Sequence, residues 1–133
     1  MLADAAAINR ITEIIIRCAI AVHRALGPGL LEKPYQLALA NELLNAGLSF
    51  ELDVPLTATC RGESLGCSYF MDIVVEKLVV LEIKSVAHVL PVHRAQLLTY
   101  LKLSGHPAGL LLNFNAEFMK DGISRVLNNK PAQ

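Results

Sequence analysis

The stretch YFMDIVVEKLVVLEIKS, Tyr69 to Ser85, limits how this chain can fold more than any other. Its aromatic and β-branched residues call for a pair of strands. Yet Asp72, Glu82 and Lys84 each stand among apolar neighbours. A lone charge on a buried strand carries a desolvation cost of roughly several kcal/mol. Glu82 and Lys84 are two residues apart, so their side chains leave one face of a strand. The place of Asp72 depends on the connection. A two-residue loop at 76–77 pairs residue 75 with 78 and sets Asp72 opposite Leu81, on the other face. A three-residue loop, or a bulge, pairs 75 with 79 and sets Asp72 directly across from Glu82. Only that second register brings the three charges together.

Brought together, they make chemical sense. Two carboxylates bind a hard divalent cation such as magnesium through oxygen. Such a cation polarises a phosphate and helps to generate hydroxide from water. A lysine one strand step away can position or deprotonate the water and stabilise developing charge.

A length of 133 residues points to one domain over 1–133, and 53% hydrophobic against 18% charged residues excludes disorder. Twelve basic residues balance twelve acidic ones, so no global field draws the chain to nucleic acid or an anionic surface. A nucleic-acid contact therefore needs a local patch. Arg61, Lys102, Lys120, Arg125 and Lys130 are candidates, and scattered surface charge is the simpler reading. Cys18, Cys60 and Cys67 lack C-x-x-C spacing and read as free thiols of a reducing compartment. Asp4, Arg10, Glu13, Arg17 and Arg24 interrupt the apolar N-terminal run too often for a signal sequence or a membrane span. The expected location is the cytoplasm, with no membrane partner.

Ile8, Ile11, Ile15, Ala19 and Val22 recur at helical spacing and predict an amphipathic helix over roughly 4–25, ended by the GPG at 27–29. A second helix is expected over roughly 31–46, with Pro34 in its first turn and Gly47 as its cap. Leu37, Leu39, Ala40, Leu43 and Leu44 are its expected buried stripe. Residues 50–60 alternate as a half-buried strand, with Pro55 suggesting an edge or bulge and Glu51 and Asp53 read as solvated. A hairpin turn at 61–63 leads to strands over 67–75 and 78–86. A helix over 90–105 and an interior strand over 108–114 follow, and DGISRVLNN reads as a last strand or a turn. The fold class is α/β (α+β), in the order ααβββαβ: an antiparallel three-strand meander plus a crossover strand, flanked by helices. ALGPGLLEKPYQLALANELL also has the outline of a helix-turn-helix, but its second helix is too apolar to face a groove.

An aspartate on one strand and E-x-K on the next resemble the core motif of the PD-(D/E)XK nuclease-like superfamily. Three other segments resemble the GxxExxY family of small bacterial and archaeal proteins within it. GLLEKPY, Gly29 to Tyr35, matches the G-x-x-E-x-x-Y signature; VHRAQLLTYLK matches an H-x-x-Q-x-x-x-Y-L segment; GLLLNF followed by DGISRV matches the C-terminal signature. The match runs from about Leu26 to Val126.

The resemblance implies a magnesium- or manganese-dependent nuclease acting on DNA or RNA. It makes Asp72 and Glu82 the metal ligands, with the Ile83 carbonyl as a third, and Lys84 the catalytic lysine. Glu32 would orient a metal-bound water or bind a second ion. Gln96 and Tyr100 would steady Lys84 or the substrate phosphate. At about 100° per residue, His93, Gln96 and Tyr100 lie within roughly a 60° arc of one helix. Phe70 stands where the family usually carries arginine, two residues before the aspartate. The alternative is a non-catalytic nuclease-like module that binds nucleic acid or protein. Expected partners are a nucleic acid and a second copy of the chain.

Overall fold

The structure, a computed structural model, describes residues 4–129, apart from the side chain of Cys67. Asp4 starts the first helix, α1 (Ala5–Leu26), by accepting a hydrogen bond from the Ala6 N–H at 3.0 Å. Its buried face is Thr12, Ile15, Cys18, Ala19 and Val22. Gly27, at φ 69°, breaks it. The second helix, α2 (Glu32–Asn45), ends where the Gly47 N–H donates to Leu44 O and the Leu48 N–H donates to Leu43 O. That pair of bonds is a Schellman turn, and it needs the left-handed φ of 82° that Gly47 supplies.

The buried face of α2 departs from expectation. Leu39, Ala40 and Leu43 are buried, but Leu37 and Leu44 are 52% and 64% exposed. Tyr35 and Gln36 take the remaining inward positions. Leucines surround this helix, so periodicity alone picks out no single face.

Two long strands follow, β1 (Phe50–Cys60) and β2 (Glu63–Val75), joined by Arg61 and Gly62, both with positive φ. The twist of such a two-residue turn matches that of the strands it joins. Glu63 therefore already pairs with Cys60, and β2 begins four residues before the expected start at 67. After β3 (Val79–Lys84), the helix α3 (Pro91–Ser104) crosses to β4 (Ala108–Asn113). A 3-10 turn (Met119–Gly122) leads into β5 (Ile123–Leu127), so DGISRVLNN holds a fifth strand. The sheet order is β1-β2-β3-β4-β5, with β3 and β4 parallel and the other pairings antiparallel.

Helices cover both faces. Ile73, Val75, Leu81, Ile83, Leu110 and Leu112 pack beneath α1 and α2, with Tyr35 stacked on Phe114 at 4.7 Å. Val74, Val80 and Leu111 pack beneath α3 with Leu97, Tyr100 and Leu101. This is a mixed α/β fold in the predicted order ααβββαβ, with β5 added after β4. No helix among the described residues is long and apolar enough to cross a membrane.

Candidate active site

The connection between β2 and β3 has three residues, Glu76 to Leu78, and it pairs Val75 with Val79. This is the register that gathers the charges. Glu76 and Lys77 both have positive φ, 53° and 56°, which costs a residue with a Cβ roughly 1–2 kcal/mol. Side-chain bonds offset that cost. The Glu76 carboxylate accepts from the Ser49 N–H at 2.6 Å and from the Ser49 hydroxyl, and the Leu78 N–H donates to Val75 O at 2.9 Å.

The regular ladder runs as far as Ile73 opposite Leu81. Beyond it the side chains take over. Asp72 Oδ2 accepts from the Ile83 N–H at 2.8 Å, and Glu82 Oε1 accepts from the Asp72 N–H at 3.3 Å. Each carboxylate thus bonds the strand of the other. The Ile83 carbonyl points to the same side as its N–H, into the fork that opens between β2 and β3.

The fork draws residues from both faces of the sheet. On the α2 side, Glu32, Lys33, Gln36, Asp53, Asp72 and Ile83 line a cleft of about 220 Å³. On the α3 side, the Gln96 amide donates to the Tyr100 hydroxyl at 3.0 Å. Lys84 is half-buried, and its strand end is tied down: the Phe114 N–H donates to Lys84 O at 3.0 Å, and the Asn113 side chain bonds both the N–H and the carbonyl of Val86. His93 serves α3 itself, its Nδ1 accepting from the Leu90 N–H at 2.9 Å.

Burial raises the pKa of Glu82 from 4.5 to about 8, and the Asp72 charge adds to the shift. Burial also raises Asp72, against the opposing pull of the Ile83 N–H. Lys84 favours the charged form of both, and Glu32 disfavours it. Burial raises the Tyr100 phenol too, with Glu82 and Asp72 contributing. The fork is therefore a water-poor acidic pair with no full neutralising partner.

That electrostatic deficit suits a cation. Among the described residues, no three His, Cys, Asp or Glu side chains gather closely enough to cage a metal. A magnesium-like ion does not need such a cage, since it binds through one or two carboxylates and keeps its waters. Asp72, Glu82 and the Ile83 carbonyl would supply an all-oxygen donor set of that type. Cys18 and Cys60 are free, one buried and one exposed. The side chain of Cys67 and any role for Lys130 lie outside the described residues.

Two residues of the site carry no sequence signal. Gln36 is 5% exposed and donates through Nε2 to both Asp53 Oδ1 and Asp72 O, each at 2.9 Å. Asp53 is exposed, as expected, but is held as well as solvated. The Gln36 bond first, and Lys33 after it, lower its pKa. Its φ of 49° falls where the inward residues of β1 change layers, although inward and outward residues keep alternating through it. Leu52 and Ile73, paired on one side of Asp53, pack under α1 and α2. Val54 and Met71, paired on the other side, pack under α3. Phe70 pairs with Pro55 in this second stretch and is 57% exposed.

The G-x-x-E-x-x-Y segment also gains a physical reading. The Tyr35 hydroxyl donates to Gly27 O and accepts from the Leu30 N–H at 3.1 Å. It pins the turn containing Gly29, at φ 101°, and so fixes where the first turn of α2 presents Glu32.

Residues 9–126 match the sequence model of a known family, the PD-(D/E)XK nuclease superfamily. No curated protein and no solved structure matches the chain significantly.

Proposed function

The chain belongs to the PD-(D/E)XK nuclease superfamily, and from that premise we propose that it is a divalent-metal-dependent nuclease of the GxxExxY type that hydrolyses phosphodiester bonds of DNA or RNA. The observation that carries this reading is the exchange of bonds between Asp72 and Glu82, with Lys84 on the same strand face as Glu82. Magnesium or manganese, held by Asp72, Glu82 and the Ile83 carbonyl, would polarise the phosphate and acidify a water. Lys84 Nζ orients the attacking water and stabilises charge on the phosphate oxygens. Glu32, which lines the cleft, would orient a metal-bound water or bind a second ion. The Gln96–Tyr100 pair supports the phosphate or Lys84 from α3. The exposed free thiol of Cys60 accords with a reducing cytoplasm.

The test is cleavage of labelled single-stranded and duplex DNA and RNA with magnesium or manganese, using Asp72→Ala and Lys84→Ala as controls and calorimetry for metal binding. The reading expects cleavage by the wild type alone, stopped by chelation, and metal binding lost in Asp72→Ala. Cleavage equal in wild type and Lys84→Ala would sink it.

Phe70 favours a second reading, because the resemblance expects a cation there. On that reading the domain binds nucleic acid or protein without turnover, and a second copy or a partner selects the target. Nucleic-acid binding with no metal-dependent cleavage is its signature.

A further inference from the structure

The change of face at Asp53 carries the outer part of the β1–β2 hairpin toward α3. Between them lies a groove of about 580 Å³, within the ~300–1,000 Å³ range of small-molecule sites. Thr59, Leu65 and Tyr69 of the hairpin form one wall, and His93, Gln96 and Tyr100 of α3 form the other. Gln96 and Tyr100 also belong to the candidate active site, so whatever fills the groove abuts the reacting phosphate. The Tyr69 and Tyr100 rings meet at 5.7 Å and 42°, and Tyr69 remains 42% exposed. The lining is mainly apolar and includes no carboxylate. Its polar groups suit the edge of a base: the Gln96 amide, the Thr99 hydroxyl and His93 Nε2, left available because Nδ1 accepts from Leu90.

We propose that this groove receives an unpaired nucleobase of the strand being cut, stacked on Tyr69, and that the substrate is single-stranded nucleic acid. The substrate class rests on the nuclease reading above. A base within a duplex is stacked on both faces and cannot turn one of them to Tyr69, whereas an unpaired base can. Stacking on an aromatic side chain tolerates any base, so the groove selects for single strands more than for sequence.

The test is anisotropy of a short fluorescein-labelled oligothymidylate, free or annealed to its complement, with calcium replacing magnesium to prevent cutting. The wild type binds the single strand at least about tenfold more tightly than the duplex. Tyr69→Ala weakens single-strand binding by roughly 5- to 150-fold, and Tyr69→Phe, which keeps the ring, does not. The chain has no tryptophan, so Tyr69→Trp supplies a single emission that a stacked base quenches. Equal binding by wild type and Tyr69→Ala overturns the proposal. So does equal weakening by Tyr69→Phe, unquenched Tyr69→Trp on a bound strand, tighter duplex binding, or no oligonucleotide binding at all. Metal-dependent cleavage that needs Lys84 but ignores Tyr69 removes this proposal and leaves the nuclease reading. Tyr69-dependent binding and quenching without cleavage supports the groove and removes the nuclease reading.

Discussion

Asp53 and Asp72 stand level on neighbouring strands, and at that level both strands exchange one face of the sheet for the other. A single left-handed residue, Asp53 at φ 49°, accompanies the change. The acidic fork therefore sits where the sheet passes from the α1–α2 layer to the α3 layer. Groups from both layers can reach it.

Substitution at Asp53 tests this. Glycine accepts the backbone conformation and a β-branched residue does not. Asp53→Val should cost about 1–2 kcal/mol more than Asp53→Gly. Urea unfolding of the two variants measures the difference, and equal midpoints would remove Asp53 as the origin of the turn-over.

Gln36 joins Asp53 to the Asp72 main chain from a buried position. Gln36→Leu leaves the Asp72 carbonyl without that donor and should cost about 1–3 kcal/mol. Gln36→Glu should cost more, since it sets a carboxylate against two acceptors. Thermal unfolding ranks the two, and a stable Gln36→Glu would contradict the placement.

The raised pKa of Glu82 sets a pH dependence with a definite sign. Between about 4.5 and about 8 the folded chain holds a proton on Glu82 that the unfolded chain has released. Stability from this group is therefore full below about 4.5 and is lost as pH rises toward 8. Asp72, also raised, acts in the same direction. The metal-free protein should lose melting temperature across this window, and Glu82→Gln should flatten the slope. Magnesium should restore stability at the alkaline end by neutralising the ionised pair. A slope unchanged in Glu82→Gln would assign the titration elsewhere.

Tyr35→Phe keeps the ring stacked on Phe114 but removes the bonds to Gly27 and Leu30. The expected loss is about 1 kcal/mol of stability. Cleavage should fall further than stability does, because the turn that carries Glu32 loosens. A variant less stable but fully active would confine Tyr35 to a structural role.

The three helices were legible because apolar spacing and Gly or Pro punctuation agree at Gly27, Pro34, Gly47, Pro91 and Gly105. The charged set was legible as a conditional, since Glu82 and Lys84 share a face at any register but Asp72 joins them at only one. The inward face of α2 was not, because leucine at 37, 39, 43 and 44 surrounds the helix while the buried positions at 35 and 36 are polar-tipped. Nor was Asp53. A left-handed backbone inside a strand leaves no mark in the alternation of types, and Gln36 gains its partners only when α2 folds over β2.

Counting by odd and even gives the Glu76–Leu78 connection a wider meaning. A chain whose turn closed on residues 76–77 alone, pairing Val75 with Leu78, would keep Asp72, Glu82, Lys84 and every signature segment, yet its aspartate would face Leu81 across the strands. Inspection by residue type would score such a chain as intact. At a fixed Asp72–Glu82 spacing, the parity of the turn, a property no single position carries, separates a joined fork from a split one. Comparison of family members by turn size together with that spacing would sort them where residue types do not.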